Sequence, residues 1–446
     1  MKTKLISIIA VLAMGILVLM LTVSNYSAVE REYNANVASA RANAENLIPY
    51  NAYNYYKAAF EIRCEDEAVY QEYLAQAQLL SKGYYNEAIE DYVVKFPESA
   101  TAYELLCKMY YDDGSYSQLM DTALEAREKG LATDQVRDWY NECAYMLRYI
   151  KADVQEPQPF LGGYALVKMG GAYGYIDENG TFLLAPLYTE ASAMMDSYSA
   201  VNDGEEWHII NSLGYKVART TKPVDYMGIM VGGKIPVAVG GKYGYVTTTL
   251  EIPETLPYDY ASNLKNGVAA VKKGDKWALL HEEKLTVAQN GDLWALTTDE
   301  QLLDYAFEDI LLDAYDTCCN DGVIFAKTGG KYYMYNAQGE QISQQGFDDA
   351  KPFAGDGLAA ICISGKWGFV DTTGAIFMEP QYEDANSFSI GIAGVCVDGK
   401  WGYINTNGAF RIACQFEECQ PFAANGIAAV KEDGMWSYVR LLSYYN

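Results

Sequence analysis

Histidine, the side chain best suited to acid–base chemistry near neutral pH, is rare in this chain. Only two histidines are present, His208 and His281, although histidine is the usual proton shuttle near neutral pH and a frequent metal ligand. Both replace residue types that recur at equivalent positions of a repeat described below, glycine in one case and aspartate or asparagine in the other. We therefore interpret both histidines as structural substitutions.

Motifs for metals, nucleotides and nucleophilic catalysis are equally sparse. Asp177-Glu178-Asn179-Gly180 resembles part of a calcium loop, but no following acidic ligand completes it, so we expect a turn. Gly240-Gly241-Lys242 and Gly329-Gly330-Lys331 are predicted as hairpin turns, because neither belongs to a GxGxxG or P-loop pattern. No GxSxG elbow is found. The sequence predicts no cofactor and no metal.

Nine cysteines are present, and none belongs to a CxxC motif. Cys318 and Cys319 are adjacent, and Cys414 and Cys419 form a CxxxxC pair, but no histidine lies nearby, so zinc is not expected. We predict mostly buried thiols, with one or two disulfides as the alternative.

Composition narrows the classes of partner. The 446 residues are 50% hydrophobic and carry a net charge of −26, from 33 basic and 59 acidic residues. This balance excludes a nucleic-acid-binding protein, which needs a basic face. A pair of carboxylates for glycan hydrolysis stays open, because acidic residues are plentiful and nothing in the sequence selects two of them.

The first segment, residues 1–27, reads as a transmembrane anchor or a signal. Lys2 and Lys4 precede an apolar run over residues 5–23, which as a helix would span about 28 Å, near the thickness of a bilayer core. The run is longer than the apolar core of a cleaved signal, which is the alternative. Since the positive charges come first, we expect the rest of the chain outside the cytoplasm, tethered to the membrane or secreted.

Residues 28–150 have the periodicity of helices. The stretch Pro97–Gly130 is 34 residues long and places Tyr103, Leu106, Tyr110 and Gly114 as a tetratricopeptide repeat does. Because of this resemblance, we predict an all-α region of helical hairpins, serving either as a stalk or as a peptide-binding groove. Residues 151–159 contain two prolines and are predicted to be a linker.

The strongest pattern is a repeat over residues 160–446. Aromatic residues recur at intervals of about 35 residues, except for one longer interval with an insertion near residues 285–305. We call these eight residues the repeat aromatics: Tyr173, Trp207, Tyr243, Trp277, Tyr332, Trp367, Trp401 and Trp436. A glycine stands ten positions before seven of them, and short apolar runs with glycine-containing turns flank each one. The pattern predicts eight units of strand, turn, strand, turn and strand.

The stretches KWGFVDTTG and KWGYINTNG, with Trp367-Gly368 and Trp401-Gly402, resemble the WG-repeat (KWG) family of bacterial proteins. The resemblance implies an all-β repeat domain, common on envelope or secreted proteins, without established catalytic residues. It implies recognition or scaffolding. The strict Trp-Gly pair occurs in two units only; the other units keep the aromatic, the glycine or neither.

Two architectures are compatible with eight such units, a propeller-like ring and an open β-solenoid. We favour the ring, because closure removes exposed sheet edges and neither end of the array has a polar capping unit. The repeat aromatics are expected to be buried between units. We therefore predict a non-enzymatic binding or scaffold protein for an envelope protein, a peptide or a cell-wall glycan. The alternative is an envelope polysaccharide-processing enzyme or its accessory subunit.

Overall fold

The computed structural model describes residues 28–220, 222–290, 293–298 and 304–444. The chain divides into two compact units, with the boundary between Ala144 and Tyr145. Within these residues, no helix combines the length and the apolar composition that crossing a membrane requires. The anchor predicted over residues 5–23 lies outside the described residues.

The first unit is helical, as predicted. Its described part contains seven helices: α1 over residues 28–45, α2 Pro49–Ile62, α3 Glu67–Leu80, α4 Lys82–Lys95, α5 Ala100–Asp112, α6 Tyr116–Glu128 and α7 Asp134–Cys143. Side-chain caps fix several starts: the carboxylate of Asp66 accepts hydrogen bonds from the first turn of α3, and the hydroxyl of Ser99 accepts one from α5. Gly114, at φ +69°, ends α5 in a left-handed conformation that favours glycine.

Tyrosines form much of the core of this unit. The rings of Tyr70 and Tyr92 stack with centroids 4.9 Å apart, and Phe60 stacks on Tyr70 at the same distance. The phenol of Tyr70 donates a hydrogen bond to the backbone oxygen of Ala88 at 3.1 Å. A tyrosine buried in this way keeps its apolar contacts while its hydroxyl is satisfied, which accounts for part of the high tyrosine content.

The second unit consists of eight small antiparallel sheets, here called blades, and one extra hairpin. The strands are, for blade 1, β2 Ala165–Met169, β3 Ala172–Ile176 and β4 Phe182–Tyr188; for blade 2, β5 Glu190–Ala191, β6 Tyr198–Asn202, β7 Trp207–Asn211 and β8 Lys216–Arg219; for blade 3, β9 Tyr226–Met227, β10 Lys234–Val239 and β11 Lys242–Thr247; and for blade 4, β12 Tyr260–Ala261, β13 Val268–Lys273 and β14 Lys276–His281.

The remaining strands follow the same scheme after the extra hairpin. They are the hairpin β15 Leu285–Asn290 and β16 Leu293–Thr298; for blade 5, β17 Asp309–Ile310, β18 Val323–Thr328 and β19 Lys331–Asn336; for blade 6, β20 Asp349–Ala350, β21 Leu358–Ile363, β22 Lys366–Asp371 and β23 Ile376–Tyr382; for blade 7, β24 Asp384–Ala385, β25 Ile392–Val397, β26 Lys400–Asn405 and β27 Phe410–Phe416; and for blade 8, β28 Glu418–Cys419, β29 Ile427–Glu432, β30 Met435–Leu441 and β1 Leu147–Val154. Short 3-10 turns lie at Glu282–Lys284 and Leu442–Tyr444.

Strand β1 closes the array. It pairs antiparallel with β30, with Leu147 opposite Leu441, so the first strand of the unit completes its last blade. The chain then continues into blade 1, where the amides of Gln155 and Gln158 donate hydrogen bonds to β2. The predicted linker over residues 151–159 is therefore wrong, because these residues supply the outer strand of blade 8 and the inner edge of blade 1.

The hydrophobic cores lie between successive blades. Apolar side chains of blades 1 and 2 form one cluster, those of blades 2 and 3 the next, and so on around the array. The last cluster joins blade 8 to blade 1 through Ala429, Tyr438, Ala165 and Val167. The blades thus form a ring, which is one of the two architectures that the sequence left open.

Candidate functional site

Seven of the eight repeat aromatics lie in a row of paired residues that crosses the blade from its outer edge toward the centre of the ring. Trp207 pairs with Asn202 on the preceding strand but has no partner on β8. In blade 7, Trp401 pairs with Phe416 on the outer strand and with Cys396 on the preceding strand, and Cys396 pairs with Asp384 on the innermost strand. Blade 5 repeats the row with Phe347, Tyr332, Lys327 and Asp309. We call this set the cross-blade row.

Only two of the repeat aromatics are buried. Trp207 and Tyr332 are 3% and 7% exposed, and the other six are half-buried, so the expected full burial between units is wrong for them. Each row lies next to the hairpin turn at one end of its blade, where the neighbouring blade covers less of it. The residue two positions after the repeat aromatic lies on the same face of the strand but nearer the middle of the blade. This position is fully buried in Tyr175, Tyr245, Phe369, Tyr403 and Tyr438.

Lysines cover the exposed parts of these rings. The ammonium of Lys351 lies 4.9 Å from the ring centroid of Trp367 and 5.4 Å from that of Trp401, and it also pairs with the carboxylate of Asp384 at 2.8 Å. Lys168 contacts the ring of Tyr173 in the same manner. Similar contacts cover Trp277, Tyr332 and Trp436. Cation–π contacts of this kind stabilise the rims of blades 1 and 4 to 8.

The glycine of the Trp-Gly pair is required by the outer strand. A Cβ atom on Gly368 would lie 2.5 Å from the backbone oxygen of Met378, and one on Gly402 would lie 2.6 Å from that of Ile412. In both blades, and at Gly174, the outer strand bulges toward the glycine, which shifts the strand register at that point. His208 instead pairs directly with Arg219 of the outer strand β8, without a register shift at that position.

The centre of the ring contains a cavity of about 180 Å³. Residues of blades 1 to 4 and a loop of blade 5 line it: Gln158, Leu166, Tyr173, Ala191, Ser192, Ala193, Tyr226, Met227, Ile229, Asn263, Ala314, Tyr315 and Asp316. Several of these belong to the two-residue innermost strands, and the cavity is therefore a part of the channel around which the blades are arranged.

The loop over residues 311–322 connects β17 to β18 and reaches across the channel. The phenol of Tyr315 donates a hydrogen bond to the backbone oxygen of Phe160 in blade 1, at 2.8 Å. The side-chain amide of Asn263 in blade 4 donates to the backbone oxygen of Tyr315, also at 2.8 Å. Lys265 pairs with Asp313 at 3.3 Å. The loop is thus held from two sides of the ring.

Asp316 is the charged residue of the cavity wall. The phenol of Tyr260 donates a hydrogen bond to its carboxylate. Burial, with a smaller contribution from the negative charge of Asp313, raises the pKa of the Asp316 carboxyl to about 6, against the opposing effect of the Tyr260 hydrogen bond. Its backbone is in the left-handed region, at φ +59°.

Sequence reasoning missed this loop. In other units about six residues separate the innermost strand from the glycine before the next strand, as from Ala261 to Gly267, but here the distance runs from Ile310 to Gly322. The longer spacing was a readable signal. The irregular interval hides this signal, because the single insertion predicted near residues 285–305 corresponds to the hairpin β15–β16 and the loop is a second insertion.

The other candidate residues have structural surroundings. His208 is buried, with Nε2 at 3.1 Å from the Asp203 carboxylate and 2.9 Å from the Lys216 ammonium. The carboxylate of Asp177 accepts the amides of Asn179 and Thr181, which makes the predicted turn. Seven of the nine cysteines are buried. Within the described ranges no group of three His, Cys, Asp or Glu side chains is placed to hold a metal ion.

A ring of eight antiparallel sheets, closed by pairing of its first strand with its last blade, defines a propeller-like β-repeat domain. The WG containing repeat family matches this domain in five places, at residues 173–207, 257–277, 334–367, 367–401 and 401–436. The chain is a WG-repeat β-repeat protein, with a helical unit preceding the repeats. Six of the eight repeat aromatics begin or end a matched segment, and Tyr243 and Tyr332 do not.

Among the curated proteins, none matches the chain. Similar solved structures include a chain from the crystal structure of the eukaryotic initiation factor, with 11% identity and a TM-score of 0.40, covering 66% of this chain and 87% of that one. A chain of the Mitotic Checkpoint Complex has 7% identity and a TM-score of 0.32, and the match covers 66% of this chain and 90% of that one.

Proposed function

We propose that the protein is a binding or scaffold module whose ring holds a ligand in its central channel. The observation that carries this proposal is the cavity itself, which is lined by residues of four blades and of the loop over residues 311–322. Its walls combine apolar side chains with a few fixed polar groups, the composition typical of small-molecule and side-chain binding sites. The ring's inter-blade cores make the channel a rigid frame for such a ligand.

The helical unit supports a second binding surface in the same module. Helices α2, α3 and α4 line a groove of about 470 Å³ that includes Phe60, Tyr73, Glu87 and Asp91. Aromatic and charged side chains together suit an extended or helical peptide. This groove favours the peptide-binding interpretation of the tetratricopeptide-like region over the simple stalk.

The location outside the cytoplasm is part of the proposal and depends on residues 5–23 and on the positive charges before them. Added protease should digest the body of the protein in intact spheroplasts and leave a short membrane-bound fragment. Protection of the full chain until lysis would contradict this orientation. A protein released entirely into the medium would show that the segment is a cleaved signal.

One observation supports the alternative, a glycan-active envelope enzyme. Asp316 has the raised pKa that a general acid requires, and Asp313 is nearby on the same loop. Asp313, however, already accepts hydrogen bonds from the amides of Tyr315 and Thr317 and from the Thr317 hydroxyl. These bonds give it a role in shaping the loop, so we favour binding. Release of reducing ends from cell-wall glycans, abolished in Asp316→Asn, would instead establish the enzyme.

The channel proposal is tested by filling the cavity. The full-length chain and its Ala193→Trp variant are immobilised and exposed in parallel to cell-wall glycans, peptides and purified envelope proteins. Ala193 lines the cavity, so the indole should occupy it and abolish capture of the channel ligand. Ala375→Trp, in an exposed turn of blade 6, is the matched control and should leave capture unchanged. Equal capture by all three proteins would show that the channel is not the binding site.

A further inference from the structure

Asp316 lacks the cationic partner that a carboxylate in such a site would normally have. In the part of the chain that the structure describes, no lysine, arginine or histidine forms an ion pair with it, whereas Asp313 on the same loop is paired with Lys265. The single hydrogen bond from Tyr260 satisfies one carboxylate oxygen. A half-buried carboxylate without a counter-ion is costly, and a cation from outside the chain would offset the cost.

The rest of the cavity wall is suited to an organic cation. Three tyrosines line it, Tyr173, Tyr226 and Tyr315. The hydroxyls of Tyr173 and Tyr315 are held by Glu156 and by the backbone of Phe160. These two rings are thus fixed in place. Lys168 already covers the ring of Tyr173, so the ring faces offered to an ammonium group are those of Tyr226 and Tyr315.

Tyr226 provides a further acceptor. Its ring is fixed between Trp207 and Tyr243, with centroids 6.3 Å and 5.8 Å away. Its hydroxyl makes no hydrogen bond to any residue within the described ranges, so it can accept one from a ligand N–H.

From this arrangement we propose that the cavity binds an organic ammonium group, either a small amine or the end of a lysine-like side chain, with its charge facing Asp316 and its carbon atoms against the tyrosine rings. The inference rests on the proposed channel-binding function and names its ligand class. Anionic ligands are disfavoured by Asp313 and Asp316 and by the net charge of −26. A cavity of about 180 Å³ admits a short alkylammonium but not an extended oligosaccharide.

The probes are n-butylammonium and tetramethylammonium, with n-butanol as the neutral counterpart, titrated into the full-length protein by calorimetry at pH 8. We expect both ammonium ions to bind and n-butanol to bind at least about tenfold more weakly, because it lacks the charge. Asp316→Asn should weaken ammonium binding by a similar factor while keeping a partner for the Tyr260 phenol. Glu190→Gln, which removes a carboxylate from the innermost strand of blade 2 but not from the cavity wall, should change it less than about twofold.

The pH dependence of the wild-type protein provides a measurement that does not rely on a variant. Binding should weaken as the pH falls from 8 to 5, since Asp316 becomes protonated and loses its charge. The charged and titratable groups near Asp316 are Asp313, Lys265, Tyr226, Tyr243, Tyr245, Tyr260, Tyr315 and Cys318. Burial raises the pKa of the five tyrosines and of the Cys318 thiol above their usual values, so these groups stay neutral over this range.

Two results would overturn the inference. Equal affinity for n-butanol and n-butylammonium would show a cavity that selects apolar shape and not charge. Ammonium binding that persists unchanged in Asp316→Asn and at pH 5 would place the cation elsewhere. Neither result contradicts the proposed function. That function fails only if the Ala193→Trp variant captures every ligand as the wild type does.

Discussion

Leu147 lies opposite Leu441 in the antiparallel pair of β1 and β30, so the residue that begins the first strand of the ring is the neighbour of the one that ends the last. The phenol of Tyr149 in β1 also donates a hydrogen bond, at 2.5 Å, to the carboxylate of Glu432 in β29, the strand on the other side of β30. One strand therefore holds the ring closed.

A fragment that starts at Tyr145 should fold cooperatively, whereas one that starts at Phe160 should not. The shorter fragment lacks β1, which leaves the edge of β30 unpaired and opens the core between blades 8 and 1. Thermal unfolding followed by circular dichroism should show a lower midpoint and a broader transition for the shorter fragment. A synthetic peptide of residues 145–154 should restore part of the loss; equal midpoints without it would mean that β1 does not close the ring.

Removing the fully buried aromatic of blade 7 should be more damaging than removing its repeat aromatic. Tyr403 is 0% exposed, so Tyr403→Ala should reduce the free energy of unfolding by about 3–5 kcal/mol. Trp401 is half-buried and its ring is partly covered by Lys351, so Trp401→Ala should cost roughly 2 kcal/mol. Urea unfolding of both variants gives the comparison. A larger loss for Trp401→Ala would restore the expectation that the repeat aromatics are the core.

Both variants should also show whether the ring unfolds as a unit. Because the ring has no free end, we expect fluorescence and circular dichroism to report one transition for all blades. Separate melting of blade 7 and its neighbours would indicate nearest-neighbour behaviour, as in open arrays.

The glycine of the Trp-Gly pair should not tolerate even one methyl group. In Gly402→Ala the new Cβ would meet the backbone of Ile412 and Cys414 in the bulged outer strand, and such overpacking costs about 1–3 kcal/mol. Ser437→Ala, at the equivalent position of blade 8, is the control and should cost less than about 1 kcal/mol. If the two variants are equally stable, the outer strand yields easily and the glycine is not required.

The titration of Asp316 should be visible in the stability of the protein. Its pKa is about 6 in the folded chain and about 3.9 in an unfolded one. Since the folded state binds the proton more tightly, this contribution to stability is complete below about pH 4 and is lost as the pH rises through 6. The loss amounts to about 3 kcal/mol.

Urea unfolding at pH 4, 5, 6 and 7 tests this sign. Relative to the wild type, Asp316→Asn should become more stable as the pH increases, because the variant has no charge to bury. If the free energy of unfolding depends on pH in the same way for the two proteins, Asp316 is solvated.

Much of the ring could be derived from the sequence, because its repeat is periodic. The aromatic and glycine spacing predicts eight units, and the absence of capping units favours closure. The strand that closes the ring could not be recognised, since β1 belongs to no repeat and Pro157 and Pro159, just after it, are typical of a linker. That β1 pairs with β30 becomes known only from the structure of the ring.

The candidate site was less predictable than the fold. Asp316 follows no motif, and its chemistry depends on burial and on Tyr260, which reaches it from another blade. Side chains that are far apart in sequence meet in the channel because the innermost strands of the blades line it. Spacing along the chain can indicate that a loop is long, as at residues 311–322, but not that it crosses the ring to Phe160.

The closing strand also sets the order of events during synthesis. Tyr149 of β1 and Glu432 of β29 are 283 residues apart in the chain, so β1 leaves the ribosome long before the rest of its blade exists. Until β30 is made, β1 and the edge of the growing array both expose unpaired backbone groups. Such non-local pairing is slow and leaves intermediates prone to aggregation. A message truncated before the last blade would therefore yield a product with two open edges, a template for self-association.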